Sequence, residues 1–366
     1  MKYKTLSFLQ LNILAFLGLL LGLTSCQDDI EDLNTKSYPI GGMYICNEGP
    51  FLSGTGTIDY YSLDKHTLEK DIFLSRNGVP LGNIAQSMVR IGNTIYIVVN
   101  NSNKIEIVKA DSFSSIGSIE GLTLPRYMLA VSDTKAYVSC WDNTIAIIDL
   151  TTNQVKGHIT VGTGPEKMLK SGSDVFVLNQ GGFSIDSTIS IININTDQVV
   201  QTLAVYPKPS GIVKDEVSGA IWVMCSGKGY NGWPAADDSE GHLLKVEGSS
   251  SYVSTVDIMF PDKSIHPEKL ILNSWRNELL YLYNSGIYKQ GLSSAQLDTA
   301  VFVNKGIPFY GFGFDNQGSA EASLVVASDP VDYTQDGWVY MFSAADGHVV
   351  DSVRAGIIPT DFIFLR

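Results

Sequence analysis

The feature that most constrains this chain is that it repeats. TLPRYMLAVSDTKAYVSCWDNTIAIIDLTTNQVKGHITVG (123–162) is followed directly by TGPEKMLKSGSDVFVLNQGGFSIDSTISIININTDQVVQTLAV (163–205). Each unit reads as a proline-led apolar run, a polar turn, and a second run ending YVSC or FVLN. A loop, an alternating run (TIAIIDL or TISIINI), a T-x-x-V turn and a fourth run complete it. Apolar residues alternate at period two while Asn, Asp, Gly and Ser fill the turns, which is the pattern of short β-strands. Amphipathic helical periodicity is missing beyond the N-terminal segment.

The other units are led by Ala85, Pro209, Pro267, Pro308 and Pro359, in line with Pro125 and Pro165. A recurrence of roughly 40–50 residues with four strands per unit is the signature of a β-propeller. Proline suits the first position of a strand because it need not donate to the ladder there. The two ends of the chain complete one another. MYICNEG, GTIDYYSLD and LEKDIF (43–73) supply three strands without a leading one, and GIIPTDFIFLR (356–366) is a leading strand with nothing after it. Joined, they make a seventh blade and leave no open sheet edge. The predicted fold is all-β: a seven-bladed β-propeller of four-stranded antiparallel blades, closed by the C-terminal strand and filling 38–366 as a single domain.

The first residues read as an address rather than as structure. Lys2 and Lys4 precede FLQLNILAFLGLLLGL, an apolar stretch too short for a comfortable membrane span, and LTSC follows. This resembles a bacterial lipobox, with 1–25 the signal peptide and Cys26 the lipidated residue. The acidic QDDIED behind it resembles the surface-export signal of Bacteroidetes lipoproteins and makes 26–37 a tether. Triplets such as Asp186-Ser187-Thr188, Asp298-Thr299-Ala300 and Asp351-Ser352-Val353 resemble O-glycosylation sites of the same phylum. The expected location is the outer membrane, lipid-anchored and exposed at the cell surface. A net charge of −13 without clustered Lys and Arg argues against nucleic acid as a partner.

Apart from Cys26, the cysteines are Cys46, Cys140 and Cys225, an odd number that excludes a complete disulfide framework. They fall at or beside the end of the second strand in blades one, three and five. Non-neighbouring blades do not bring sulfurs to the roughly 2 Å of a covalent bond. Buried, reduced thiols are expected.

In a propeller, the loop after each second strand and the loop leading into each inner strand open on the same face. Here that face carries NEGPFLSGTG, CWDN, NQGGFS, SDPVDYTQDGW and the longest interruption of the repeat, CSGKGYNGWPAADDSEG (225–241). Turns on the opposite face, such as KSGSD and LTTNQ, are short. Phe51, Trp141, Phe183, Tyr230, Trp233, Tyr333 and Trp338 lie in or beside the decorated loops, with Tyr127, Phe309 and Tyr310 at the approaches to inner strands. Tyr and Trp supply large amphipathic contact area at low entropic cost. Asn47, Arg126, Asn179 and Lys228 are the polar candidates for ligand contact, with Glu48, Glu166 and Asp329 beside them. Packing between blades is the competing role for each aromatic. For Tyr230 and Trp233, flanked by glycine in a loop with little core of its own, ligand contact is the stronger expectation.

Motifs of catalysis are missing: no G-x-S-x-G elbow, no G-x-x-x-x-G-K loop, no H-E-x-x-H. Asp329, Asp332 and Asp336 do not follow EF-hand spacing, so a solvated turn is expected there rather than a calcium site. The expectation is binding without catalysis, with no resident metal or cofactor.

YVSCWDNTIAIIDLTTNQVKGHITVGTGP resembles the YVTN-type, YncE-like propeller repeats of bacterial envelope proteins, clearly in blades three and four and by spacing elsewhere. WD40 and NHL signatures are missing. With the lipobox and acidic tail, the chain is similar to the BtuG-type surface lipoproteins of gut Bacteroidetes. That resemblance implies capture of cobalamin or another corrinoid, as ligand rather than cofactor, and delivery to a TonB-dependent outer-membrane transporter. A large ring with apolar edges and an amide fringe suits an aromatic face with hydrogen-bonding side chains. Two other classes stay open at this point. One is a protein-interaction propeller of the envelope without a small ligand. The other is a propeller hydrolase, lactonase or quinone-dependent enzyme, which needs a metal or base in the central funnel.

Overall fold

The computed structural model describes residues 37–366 apart from 52, 274 and 276, so Cys26 and the segments around it lie outside the described residues. Tyr38–Arg366 is built from seven antiparallel four-stranded sheets, one per blade. No helix among the described residues is long and apolar enough to cross a membrane. Blade one takes its inner strand from the C-terminus: Pro359–Leu365 pairs with Gly42–Asn47, followed outward by Thr57–Ser62 and Thr67–Glu69. Met43 faces Phe364 and Ile45 faces Phe362 across this closing seam. Inner strands of blades two to seven are Ala85–Ile91, Pro125–Ala130, Pro165–Ser171, Pro209–Lys214, Glu268–Asn273 and Phe312–Asp315.

The second strands are the apolar backbone of the ring. In Asp174–Asn179, every residue after the first is buried, because both faces of the sheet press on neighbouring blades. The outermost strand of the same blade, Gln198–Ala204, alternates exposed and half-buried positions. Core clusters therefore lie between blades. Val98 and Ile105 of blade two pack with Val138 and Cys140 of blade three, and Met43 and Ile45 of blade one with Val326 and Met341 of blade seven. Each such side chain contributes about 1.5–3 kcal/mol by leaving water, so the seam is held by apolar contact as well as by ladder bonds.

Two devices recur at the decorated end of the blades. The residue before the inner strand adopts the left-handed conformation at Ile84, Leu124, Lys208 and Ile358 (φ between +47° and +60°) and at Gly164 (φ +56°). That turn redirects the chain from the rim of one blade to the axis of the next, and non-glycine residues hold it only where packing over-determines it. Polar groups near the end of second strands then latch the following blade. Asn100 Nδ2 donates to Pro125 O (2.9 Å), Ser226 Oγ to Pro267 O (2.7 Å), Ser328 Oγ to Pro359 O (2.5 Å), and the Cys46 thiol to Ala85 O (3.3 Å). Cys46, Cys140 and Cys225 are free and buried. Burial pushes the Cys140 and Cys225 thiols up to about 12.

Two details depart from the sequence reading. In LEKDIF the strand ends at Glu69, and a short helix, Ile72–Asn77, follows. Asp71 caps it by accepting from Leu74 N, and Gly78 (φ +68°) closes it by donating to Leu74 O. In blade seven, Pro308 stands ahead of an inner strand that begins only at Phe312, although Tyr310 N still donates to Ser328 O (2.8 Å).

Candidate functional site

The start of each inner strand is paired with the end of its second strand, as in Pro125 with Cys140 and Pro165 with Asn179. Residues there surround the mouth of the central channel, on the face that carries the long loops. At blades two to four this mouth is built around Arg126. Its Nε donates to Glu166 Oε1 (2.8 Å), its Nη1 bonds Gln86 Oε1, and its guanidinium lies 4.1 Å from the Trp141 ring centroid. Trp141 Nε1 donates to the same Glu166 oxygen (2.8 Å), and Phe183 meets the Trp141 ring edge-on at 5.0 Å. The Glu166 side chain is only 7% exposed, so its charge depends on these donors. The planar guanidinium fork meets carboxylate, amide and indole together, a set that an ammonium does not satisfy.

Across the mouth, Tyr310 donates to Glu48 Oε1 (2.9 Å), with Lys269 5.4 Å from the Tyr310 ring centroid and Tyr333 meeting it edge-on at 6.0 Å. Burial raises the Glu48 carboxyl above its usual range, opposed by the Tyr310 hydroxyl and the positive charges of Arg126 and Lys269.

The long loop of blade five is fastened at its base. Lys208 donates Nζ to Gly229 O (2.8 Å) and sits 3.8 Å from the Tyr230 ring centroid. Asn231 exchanges two hydrogen bonds with the His266 backbone (2.8 and 2.9 Å), and His266 Nδ1 contacts Ser226 O (2.9 Å). Gly229, at φ +128°, has no room for a side chain: a Cβ there would lie 2.4 Å from His266 Nε2 and 2.5 Å from Asp238 Oδ1. From this anchored base Trp233 projects 79% exposed, with Tyr230 beside it also exposed.

One layer below the mouth, inner strands from five blades enclose a cavity of about 220 Å³ lined by Met88, Tyr127, Met128, Lys167, Met168 and Asp361, among others. Burial, and then repulsion from Lys269, bring the Lys167 ammonium down to about 8. Burial pushes the Tyr127 hydroxyl and the Asp361 carboxyl up. Asp361 Oδ2 accepts from Met88 N (2.8 Å).

Residues 41–364 match the sequence model of a family described as a domain of unknown function (DUF5074). The chain belongs to this family. No curated protein matches it. A quinonprotein alcohol dehydrogenase-like protein from Bacteroides thetaiotaomicron is similar in structure, with TM-score 0.65, 16% identity, and 91% of this chain and 80% of that one covered. The computationally designed Ika8 protein is similar with TM-score 0.54, 10% identity, and coverage of 87% and 90%. At such identities the likeness is one of fold alone.

In this DUF5074 propeller the sequence candidates divide. Arg126, Trp141 and Phe183 meet on one side of the mouth, and Tyr310 and Tyr333 on another; Tyr127 lines the cavity beneath. Tyr230 and Trp233 stand on the long loop, and Phe51 is exposed on the blade-one loop, whose Pro50 and Gly54 carbonyls are held by Asn83 Nδ2. Lys228 turns away to pair with Asp237 within its own loop. Asn47 and Asn179 are fully buried strand-end residues, bonded to Thr57 Oγ1 and Thr188 Oγ1 respectively. Trp338 lies on the third strand of blade seven, in line with Tyr340 and beneath Arg354. Phe309 packs in the core between blades six and seven.

The three aspartates of SDPVDYTQDGW do separate jobs. Asp329 accepts from Val331 N, Asp332 from Thr334 and Gln335, and Asp336 pairs with Lys70. Among the described residues no three His, Cys, Asp or Glu side chains come together as metal ligands. Lys167, Lys208, Lys269 and Asp361 were not singled out from sequence. For Lys167, Lys269 and Asp361 the signal lay in the third column of the repeat, two residues after the leading position, which they share with Tyr127 and Tyr310; Lys208 instead directly precedes its leading proline.

Proposed function

We propose that this chain captures a small molecule on its decorated face, with cobalamin or another corrinoid the first ligand to test. It would do so at the outer membrane through a lipidated Cys26, and would pass the ligand to a TonB-dependent transporter. The observation that carries the binding reading is the rim of exposed aromatics. Phe183 (87% exposed), Trp233, Tyr230, Tyr333 and Phe51 come from the loops of four blades onto the face that surrounds the channel mouth. Exposed aromatics gathered on one face, above a rigid polar floor, suit a broad ligand with apolar edges and polar fringes. The floor favours binding over chemistry. Glu166 is committed to Arg126 and Trp141, and Glu48 to Tyr310, so neither is poised as a base.

The test is calorimetry of the purified protein with cyanocobalamin, alongside co-elution of the red chromophore. A bound ligand is expected to lose about 1–4 kcal/mol of affinity in Trp233→Ala and in Tyr230→Ala. Wild-type affinity in both variants would remove the long loop from the site. Neither heat nor colour would end the corrinoid reading and leave the aromatic face as a surface for a protein partner.

A further inference from the structure

The cations around the channel are unequally provided for. Arg126 is paired with Glu166, and Lys208 is bonded to Gly229 O. Lys167 and Lys269 have neither a hydrogen bond nor an ion pair among the described residues: an aromatic face lies near each, Tyr127 at 5.9 Å and Tyr310 at 5.4 Å, and carboxylates act on them only without direct contact, Asp361 and Glu166 on Lys167, Asp361 and Glu48 on Lys269. Both belong to inner strands and lie close enough to repel one another. The carboxylate on the cavity wall, Asp361, is engaged by the Met88 amide; burial favours its neutral form, opposed by that amide and by the charges of Lys167 and Lys269. A half-buried ammonium without a direct hydrogen-bond or ion-pair partner is costly in a cavity partly walled by methionine and aliphatic side chains. Its natural complement is an oxyanion, which Lys binds as a point charge.

We propose that the central channel is a second binding site, separate from the aromatic rim, which takes a small oxyanion, a carboxylate or phosphate, at Lys167 with Lys269 and the Tyr127 hydroxyl beside it. The cavity of about 220 Å³ has room for such a group; at roughly 30 Å³ per water it corresponds to about seven waters. Met88, Met128 and Met168 line the same space and can shift to accommodate an aliphatic carbon chain. Arg126 and Glu166 above it are locked together and stay out of the recognition.

The test titrates the protein with inorganic phosphate and, separately, with succinate at low ionic strength, read by calorimetry. At least one is expected to bind, and about tenfold or more weaker in Lys167→Met, with Lys269→Met weakened in the same direction. Trp233→Ala should leave this binding unchanged, which separates the channel from the rim. Phosphate binding alone would define a phosphoryl site, and succinate binding alone a carboxylate site. Should either lysine variant fail to fold, the wild-type protein still decides. Brief acetic anhydride treatment followed by mass spectrometry reads the modification of Lys167, which the bound anion should slow severalfold. No binding and no protection, or binding that survives both lysine variants, would overturn the proposal.

Discussion

At the scale of single residues, Arg126 is where mouth geometry and stability meet. Removing it leaves Glu166 buried with, among the described residues, only the Trp141 indole as hydrogen-bond donor. An uncompensated buried charge costs about 3–5 kcal/mol, so Arg126→Ala is expected to lower the urea midpoint by that much stability. Arg126→Ala combined with Glu166→Gln should recover a good part of it, because the orphaned charge is gone. Arg126→Lys should sit between, keeping charge but losing the Gln86 bond and the stacking on Trp141. Chemical denaturation of the four proteins decides the matter; a loss below about 0.5 kcal/mol in the single alanine variant would mean that the cluster is ornamental. The sequence made Arg126 visible through its place at the head of an inner strand. It could not show that Asn47 and Asn179, equally polar and equally near the mouth, turn inward to bond threonines of the next strand. Composition alone does not distinguish a side chain that faces a ligand from one that completes a sheet end.

At the scale of elements, the loop of 225–241 is the clearest exception to the repeat, and its base is rigid. Lys208→Met removes the bond to Gly229 O and the contact with the Tyr230 ring while keeping the apolar stem. The expected result is faster amide exchange and proteolysis confined to the loop, with global stability changed by less than about 1–2 kcal/mol. Gly229→Ala is expected to act more strongly on the same amides, because its Cβ meets His266 and Asp238 at φ +128°. Unchanged exchange in both variants would show that the loop is held elsewhere. The loop's location was legible because the spacing from Pro209 to Pro267 is the longest in the series. Its anchoring was not, because the anchors come from blade-five and blade-six approaches that are close only once the ring is formed. The helix at Ile72–Asn77 escaped for the opposite reason. Its signal is local, an aspartate cap and a closing glycine, and the strong period-two pattern around it overrode so short an element.

For the whole molecule, the decisive expectation was closure, and both termini announced it: three strands without a leader and a leader without followers. What the sequence did not disclose is how far the seam depends on a buried acid. Asp59, on the third strand of blade one, accepts from Gly356 N just ahead of the C-terminal strand (2.9 Å) and from Asp71 N at the helix cap (2.9 Å). It is 1% exposed, and burial pushes its carboxyl up to about 6, offset in part by those amides and by Asn47. The unfolded chain holds it near 3.9. Between these values the folded ring binds the proton and the unfolded chain does not, so this group's contribution favours folding below about pH 4 and is lost as pH rises through about 6. Two units correspond to roughly 2–3 kcal/mol. The two amides bond different oxygens of Asp59, so Asp59→Asn sets an NH2 donor against one of them and should be less stable at every pH. Its stability between pH 4 and 7 should nevertheless fall less steeply than that of the wild type, by about that amount. Taking the difference between the two proteins cancels the other carboxyls, including Glu48 and Asp361, which shift in the same direction. Denaturation midpoints across that range measure it, and parallel curves would mean that Asp59 is already ionised in the closed ring, with the two amides outweighing its burial.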